Sequence, residues 1–149
     1  MLTLSTYRTA KRRPSSFGDV VATLLTLGRR KKDDPFLLLD DWPRGFVQAY
    51  CSGDKCFVVE WHSRYQPRRP DYGLARAQRE KPTGKVVKRS HRGLPALNTY
   101  ENDRLSHGEV VDLLQAFWLK RPRPRRFFWR DLSQALARYQ KMKEAGKVE

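Results

Sequence analysis

Two cysteines, three histidines and a scatter of carboxylates are the side chains of this sequence that could cut, transfer or coordinate. Cys51 and Cys56 are separated by Ser52-Gly53-Asp54-Lys55, a spacing that invites a metal reading. Zinc takes about four ligands, and His62, His91 and His107 show no ligand spacing with the two thiols. Two thiols facing each other across a hairpin, packed or bridged, are the simpler account; a bridge also needs suitably oriented Cβ atoms. Glu60 with Asp40 or Asp41 has the composition of a general acid–base pair. A strand carboxylate answering a nearby arginine is the commoner arrangement. Phosphate-loop, nucleophile-elbow and HExxH patterns are missing from the sequence. The expectation is a protein with no catalytic residue, no metal site and no cofactor.

The cations are the stronger signal. The chain carries 31 Lys and Arg against 16 Asp and Glu, a net charge of +15. One stretch runs against that total. Residues 33–62 hold six acids and two bases, a net −4. Residues 1–32 before them carry +7 and residues 63–95 after them carry +8. Such a balance speaks about partners rather than fold. Arg68, Arg69, Arg76, Arg79, Lys85, Lys88, Arg89 and Arg92 are candidate contacts, and Arg121, Arg123, Arg125 and Arg126 form a second cluster. Arg12-Arg13 and residues 29–32 are basic too. These groups suit phosphate or carboxylate, and arginine suits bidentate recognition. No helix sets them at base-reading spacing. The partner expected is an acidic protein or a nucleic acid.

The elements that must position these groups follow from periodicity. Ser16 caps a helix whose apolar residues Phe17, Val20, Val21, Leu24, Leu25 and Leu27 recur at helical spacing, with Gly28 as its stop. Phe36-Leu37-Leu38-Leu39 is a continuous apolar run, which predicts a strand buried on both faces. Residues 46–51 and 56–61 are rich in β-formers and predict a hairpin about a Gly53-Asp54 turn. A register pairing Cys51 with Cys56 and Phe46 with Trp61 puts Phe46, Tyr50, Phe57 and Trp61 on one face and the small residues on the other. That aromatic face either buries against a helix or stacks unpaired bases; burial is the expectation. Ser106 and Glu109 make a capping box ahead of the stripe Val110, Val111, Leu113, Leu114, Phe117 and Trp118. Pro122 and Pro124 end that helix. Phe127-Phe128-Trp129 is a short strand or anchor, and a last helix runs over about residues 131–144.

The fold class expected is α+β: a small antiparallel sheet built around a 46–61 hairpin, packed by helices near 17–27, 106–119 and 131–144. Residues 1–16 read as a basic disordered tail, and 17–149 as a single domain. Within it, 63–95 reads as a long basic loop, with a short helix near 74–79. No apolar run reaches the roughly 20 residues of a membrane span, and no secretory apolar segment opens the chain. Two free cysteines then suit a reducing cytoplasm. Residues 1–16 also loosely resemble a transit peptide, being basic and acid-free.

The order of pieces carries one resemblance. Phe36-Leu37-Leu38-Leu39, Phe46-Val47-Gln48-Ala49-Tyr50, Phe57-Val58-Val59-Glu60-Trp61, the capped helix over 106–118 and Phe128-Trp129-Arg130-Asp131-Leu132 resemble the small bacterial α+β immunity proteins of polymorphic toxin systems. The resemblance spans about two-thirds of the chain, and its motifs are structural. It implies a non-enzymatic protein that binds and blocks a partner toxin. The basic 63–95 stretch departs from that pattern and implies an acidic target. The alternative is an accessory protein that holds nucleic acid through phosphate contacts.

Overall fold

Alternation of apolar and polar residues along the strands builds a six-stranded antiparallel sheet in the order Leu2–Thr6, Phe36–Asp41, Gly45–Gly53, Cys56–His62, Leu74–Gln78, Phe128–Asp131. The computed structural model describes residues 1–28, 30, 32–53, 55–63, 73–79, 85–89 and 98–146. The strands are β1 (Leu2–Thr6), β2 (Phe36–Asp41), β3 (Gly45–Gly53), β4 (Cys56–His62), β5 (Leu74–Gln78) and β8 (Phe128–Asp131). A second, two-stranded sheet pairs β6 (Val86–Lys88) with β7 (Thr99–Tyr100). The helices are α1 (Phe17–Leu24), α2 (His107–Trp118) and α3 (Ser133–Glu144). The class is α+β, as expected.

One face of the large sheet carries the core. Leu4 opposes Leu39, Leu39 opposes Val47, Val47 opposes Trp61 and Trp61 opposes Ala75, a transverse row running through five strands. α2 lays Val110, Leu113, Leu114 and Phe117 on this face, and α1 adds Val20 and Leu24. Those positions recur at i, i+3, i+4 and i+7, the stripe one helix face requires. Trp61 meets Phe117 edge-on at 5.3 Å, and Phe17 meets Trp118 at 5.9 Å. Both helix starts form as the sequence predicts: Ser16 accepts from the Asp19 amide, and Ser106 and Glu109 close the capping box.

Four local expectations are corrected. First, the N-terminal segment is not a tail throughout: Leu2–Thr6 is the edge strand β1, and Leu4 is 1% exposed. Second, Leu74–Gln78 is strand rather than helix, and it lies inside the sheet between β4 and β8. Third, β2 alternates, with Leu37, Leu39 and Asp41 buried and Phe36, Leu38 and Asp40 half-buried. Fourth, the hairpin register is shifted by one residue. Phe46 opposes His62, Tyr50 opposes Val58 and Cys51 opposes Phe57, with a bulge at Ser52 before Gly53 meets Cys56. An extra residue on one strand moves every later side chain to the other face. The register therefore puts Val47, Ala49, Val59 and Trp61 together against α2. Burial of that set outweighs segregation of aromatics from small residues.

The opposite face is polar at its centre. Gln48, Glu60, Arg76 and Arg130 form a row across β3, β4, β5 and β8. The 3-10 turn Glu101–Asp103 that follows β7 lies against β5, where the Arg79 amide donates to the Asn102 carbonyl at 3.2 Å.

Candidate basic interface

The acidic stretch is neutralised from within by the basic segments that flank it in sequence. Arg8 reaches Asp34 at 3.9 Å, Lys11 reaches Asp40 at 3.5 Å and the Met1 amine reaches Asp41 at 3.3 Å. Arg44 donates its Nε to Asp41 at 2.8 Å, and Arg76 donates to Glu60 at 2.9 Å. The pairs made by Arg8, Lys11 and the Met1 amine have an exposed partner and are worth about 0–1 kcal/mol each. The consequence of all these pairs is the surface they leave: Asp34, Asp40, Asp41 and Glu60 are committed, and the surplus charge that faces water is positive.

Glu60, Asp40 and Asp41 thus each answer a cation, and Glu60 and Asp40 lie on the face of the sheet away from Asp41. The cysteines also part company. Cys51 opposes Phe57 and Cys56 opposes Gly53, and both thiols are free and half-buried. Among the described residues no group of three His, Cys, Asp or Glu side chains could hold a metal ion. An open cleft of about 320 Å³ lies beside Cys51, between Tyr7, Arg8, Arg30 and Asp33.

Nine of the twelve predicted contact residues are among the described residues, and they fall into three groups. Arg76 belongs to the interior. It is 5% exposed and joins Glu60 and the fully buried Asp103, which Arg130 also meets at 2.9 Å and Gln78 meets through its amide. Burial alone would lower the Arg76 guanidinium, but Tyr50, Glu60 and Asp103 around it outweigh that and hold it above its usual range. Burial lowers Arg130, with Asp103 opposing, and pushes the Tyr50 phenol up. Arg123 is also turned inward: its Nη2 donates to the Trp61 carbonyl at 2.8 Å and to the Gly73 carbonyl, and burial lowers its pKa.

Arg79 and Arg126 form surface pairs. Arg79 grips Glu109 at the start of α2 with three hydrogen bonds, and Arg126 meets Asp112 at 2.5 Å. Lys85, Lys88, Arg89, Arg121 and Arg125 are exposed and make no ion pair among the described residues. Arg68, Arg69 and Arg92 lie outside the described residues.

The exposed cations among the predicted contacts occupy two separate places. Lys88 lies on β6 with Lys85 and Arg89 beside it, and the Lys85 carbonyl accepts from the Glu101 amide at 3.0 Å. Arg121 and Arg125 belong to the connection between α2 and β8, together with Lys120, which the sequence reading left out. Lys120 was missed because it reads as the end of a helix. In the structure it is a left-handed residue, φ +58°, that turns the chain out of α2. The same connection is anchored by Trp129, whose Nε1 donates to the Pro124 carbonyl at 3.0 Å.

The rings that a base-stacking platform would need are engaged. Phe57 and Trp61 are 6% and 2% exposed. Phe46 lies on His62, centroids 5.2 Å apart and planes within 9°. Among the described residues no helix is long and apolar enough to cross a membrane. Comparison of the chain with protein-family models, curated proteins and solved structures finds no match.

Proposed function

We propose that this chain is a non-enzymatic binding protein that neutralises an acidic protein partner through its exposed cations, in the manner of the immunity proteins it resembles. The observation that carries the reading is the division of charge. The carboxylates at 34, 40, 41, 60 and 103 are paired within the fold, while Lys120, Arg121 and Arg125 face water with no ion pair among the described residues. Glu60, the best candidate for acid–base work, is held by the Arg76 guanidinium at 2.9 Å. That engagement supports a scaffold role over catalysis.

The competing reading is a nucleic-acid accessory protein held by phosphate contacts. It predicts binding that collapses with salt, because each neutralised phosphate releases counterions; six to ten contacts lose about 10³–10⁵ in affinity between 50 and 200 mM salt. The test is a gel-retardation series with single- and double-stranded DNA and RNA at about 50 mM salt, beside titration with an acidic polypeptide. Retention of the polypeptide with no retardation of nucleic acid is the expected result. Tight, salt-sensitive retardation of nucleic acid would overturn the proposal in favour of the accessory-protein reading.

A further inference from the structure

We infer that the connection from α2 to β8 is the docking rim for that partner: Lys120, Arg121 and Arg125 meet a carboxylate-rich protein surface, with Leu119 beside them. The inference rests on the acidic-partner reading and goes further by choosing one of the two places that hold exposed predicted contacts.

The first argument is rigidity. The Lys120 amide donates to the Phe117 carbonyl at 3.0 Å and the Arg121 amide to Ala116 at 2.8 Å, the crossed pair that closes a helix C-terminus. Pro122 and Pro124 fix φ on either side of Arg123. Arg123 pins the middle of the segment to the Trp61 and Gly73 carbonyls. Trp129 holds Pro124, and Arg126 holds Asp112 on α2. Arg121 and Arg125 therefore project from backbone tethered before, between and after them. A preset loop has less conformational freedom to lose on binding. Among the described residues Lys85, Lys88 and Arg89 have less bracing: β6 is three residues long and pairs with the two-residue β7, and one further bond holds the Lys85 carbonyl to the Glu101 amide.

The second argument is composition. Leu119 is 47% exposed and Trp42 56% exposed. The turn that carries Trp42 is tied to this end of α2 by Arg44, which donates to the Phe117 carbonyl at 2.8 Å and lies 3.9 Å over the Phe117 ring. Arginine and tryptophan are the residues that carry protein interfaces, with apolar contacts excluding water around them. Leu119 offers no ring for a base to stack on, and the exposed Trp42 ring could meet either partner. Exposed cations with exposed apolar neighbours fit an acidic protein better than a nucleic-acid strand.

The test uses the full chain and fluorescently labelled poly-L-glutamate of about 50 residues, read by anisotropy at low salt, where rim charges act most strongly. Arg121→Glu/Arg125→Glu is compared with Lys85→Glu/Lys88→Glu, which changes net charge equally. All four side chains are exposed, so melting curves of both variants should match the parent. Binding weakened about tenfold or more by the first pair and about twofold or less by the second is expected of a preset rim. Equal losses would overturn the rim and leave the acidic-partner reading standing. No binding of polyglutamate by the parent would sink both. Tighter binding of oligothymidylate than of polyglutamate, weakened by the same pair, would overturn the choice of partner.

Discussion

Arg76 and Glu60 face each other across adjacent strands, with Nη2 and Oε2 2.9 Å apart, and the same guanidinium turns its Nη1 to Asp103 at 3.4 Å. One arginine thus joins the sheet to the turn that follows β7. Arg130 and Gln78 complete the cluster around Asp103, which is wholly buried. Removing one partner of a buried pair leaves an uncompensated charge, at a cost of about 3–5 kcal/mol. Arg76→Met should lower the unfolding free energy by that amount, read as a lower urea midpoint with an unchanged slope. Glu60→Gln should cost less, about 1–3 kcal/mol, because Glu60 is half-buried and the amide can still accept. An Arg76→Met midpoint equal to that of the parent would show that the cluster does not hold the fold.

Lys120 sits where helix ends favour glycine. A left-handed backbone costs a residue with a Cβ about 1–2 kcal/mol relative to glycine. Lys120→Gly should therefore raise stability by about 1 kcal/mol, read as a higher melting temperature. Lys120→Val should lower it, since a β-branched side chain tolerates this conformation least. A glycine variant that melts below the parent would contradict the assigned turn.

Acid should unfold the protein through its paired carboxylates. Burial pushes Glu109 up, but hydrogen bonds from Arg79 and Ser106 outweigh it, and the group lies below its ordinary range. Asp41 behaves likewise: burial raises it, and Arg44 and the Met1 amine bring it below normal. A depressed folded-state pKa gives stability that is fully present above the unfolded value, about 4 for a carboxyl, and is lost as pH falls through the folded one. Urea midpoints should be level with respect to these groups from about pH 5 to 7 and fall below about pH 4. Glu109→Gln should make that fall shallower. An equally steep fall in the variant would remove Glu109 from the account.

What was legible in the sequence is what is local. The box of Ser106 and Glu109, the Ser16 cap and the 3.6-residue stripe of α2 are each set within a few residues, and they form where expected. β5 was not legible. Leu74-Ala75-Arg76-Ala77-Gln78 offers two small alanines and no strong β-former. It is a strand because Ala75 and Ala77 fit between β4 and β8 under the helices and because Arg76 finds Glu60 and Asp103. The hairpin register failed for a related reason. The bulge at Ser52 answers the demand of α2 for Val59 and Trp61, which lies fifty residues away in sequence. For the candidate interface, sequence marked the arginines but could not say which were spent inside. Arg76 and Arg123 are, and Arg121 and Arg125 are not.

The N-terminal segment gives the sharpest separation between a basic arm and a structural strand. Leu2, Leu4 and Thr6 alternate toward the core while Arg8 and Lys11 pair with Asp34 and Asp40. A flexible arm would make both sets dispensable. In the observed strand they differ several-fold. Arg8→Ala and Lys11→Ala remove half-exposed pairs and should each cost about 0–1 kcal/mol. Leu4 is 1% exposed, bridges Arg12 on one side and opposes Leu39 on the other, so Leu4→Ala empties a packed site. That cavity should cost about 2–5 kcal/mol in urea denaturation. Amide exchange offers the second reading. The Leu4 and Arg12 amides, each bonded to the other's carbonyl, should be protected in the parent and exchange faster in Leu4→Ala. A Leu4→Ala variant as stable as Arg8→Ala would return residues 2–6 to the status of an arm.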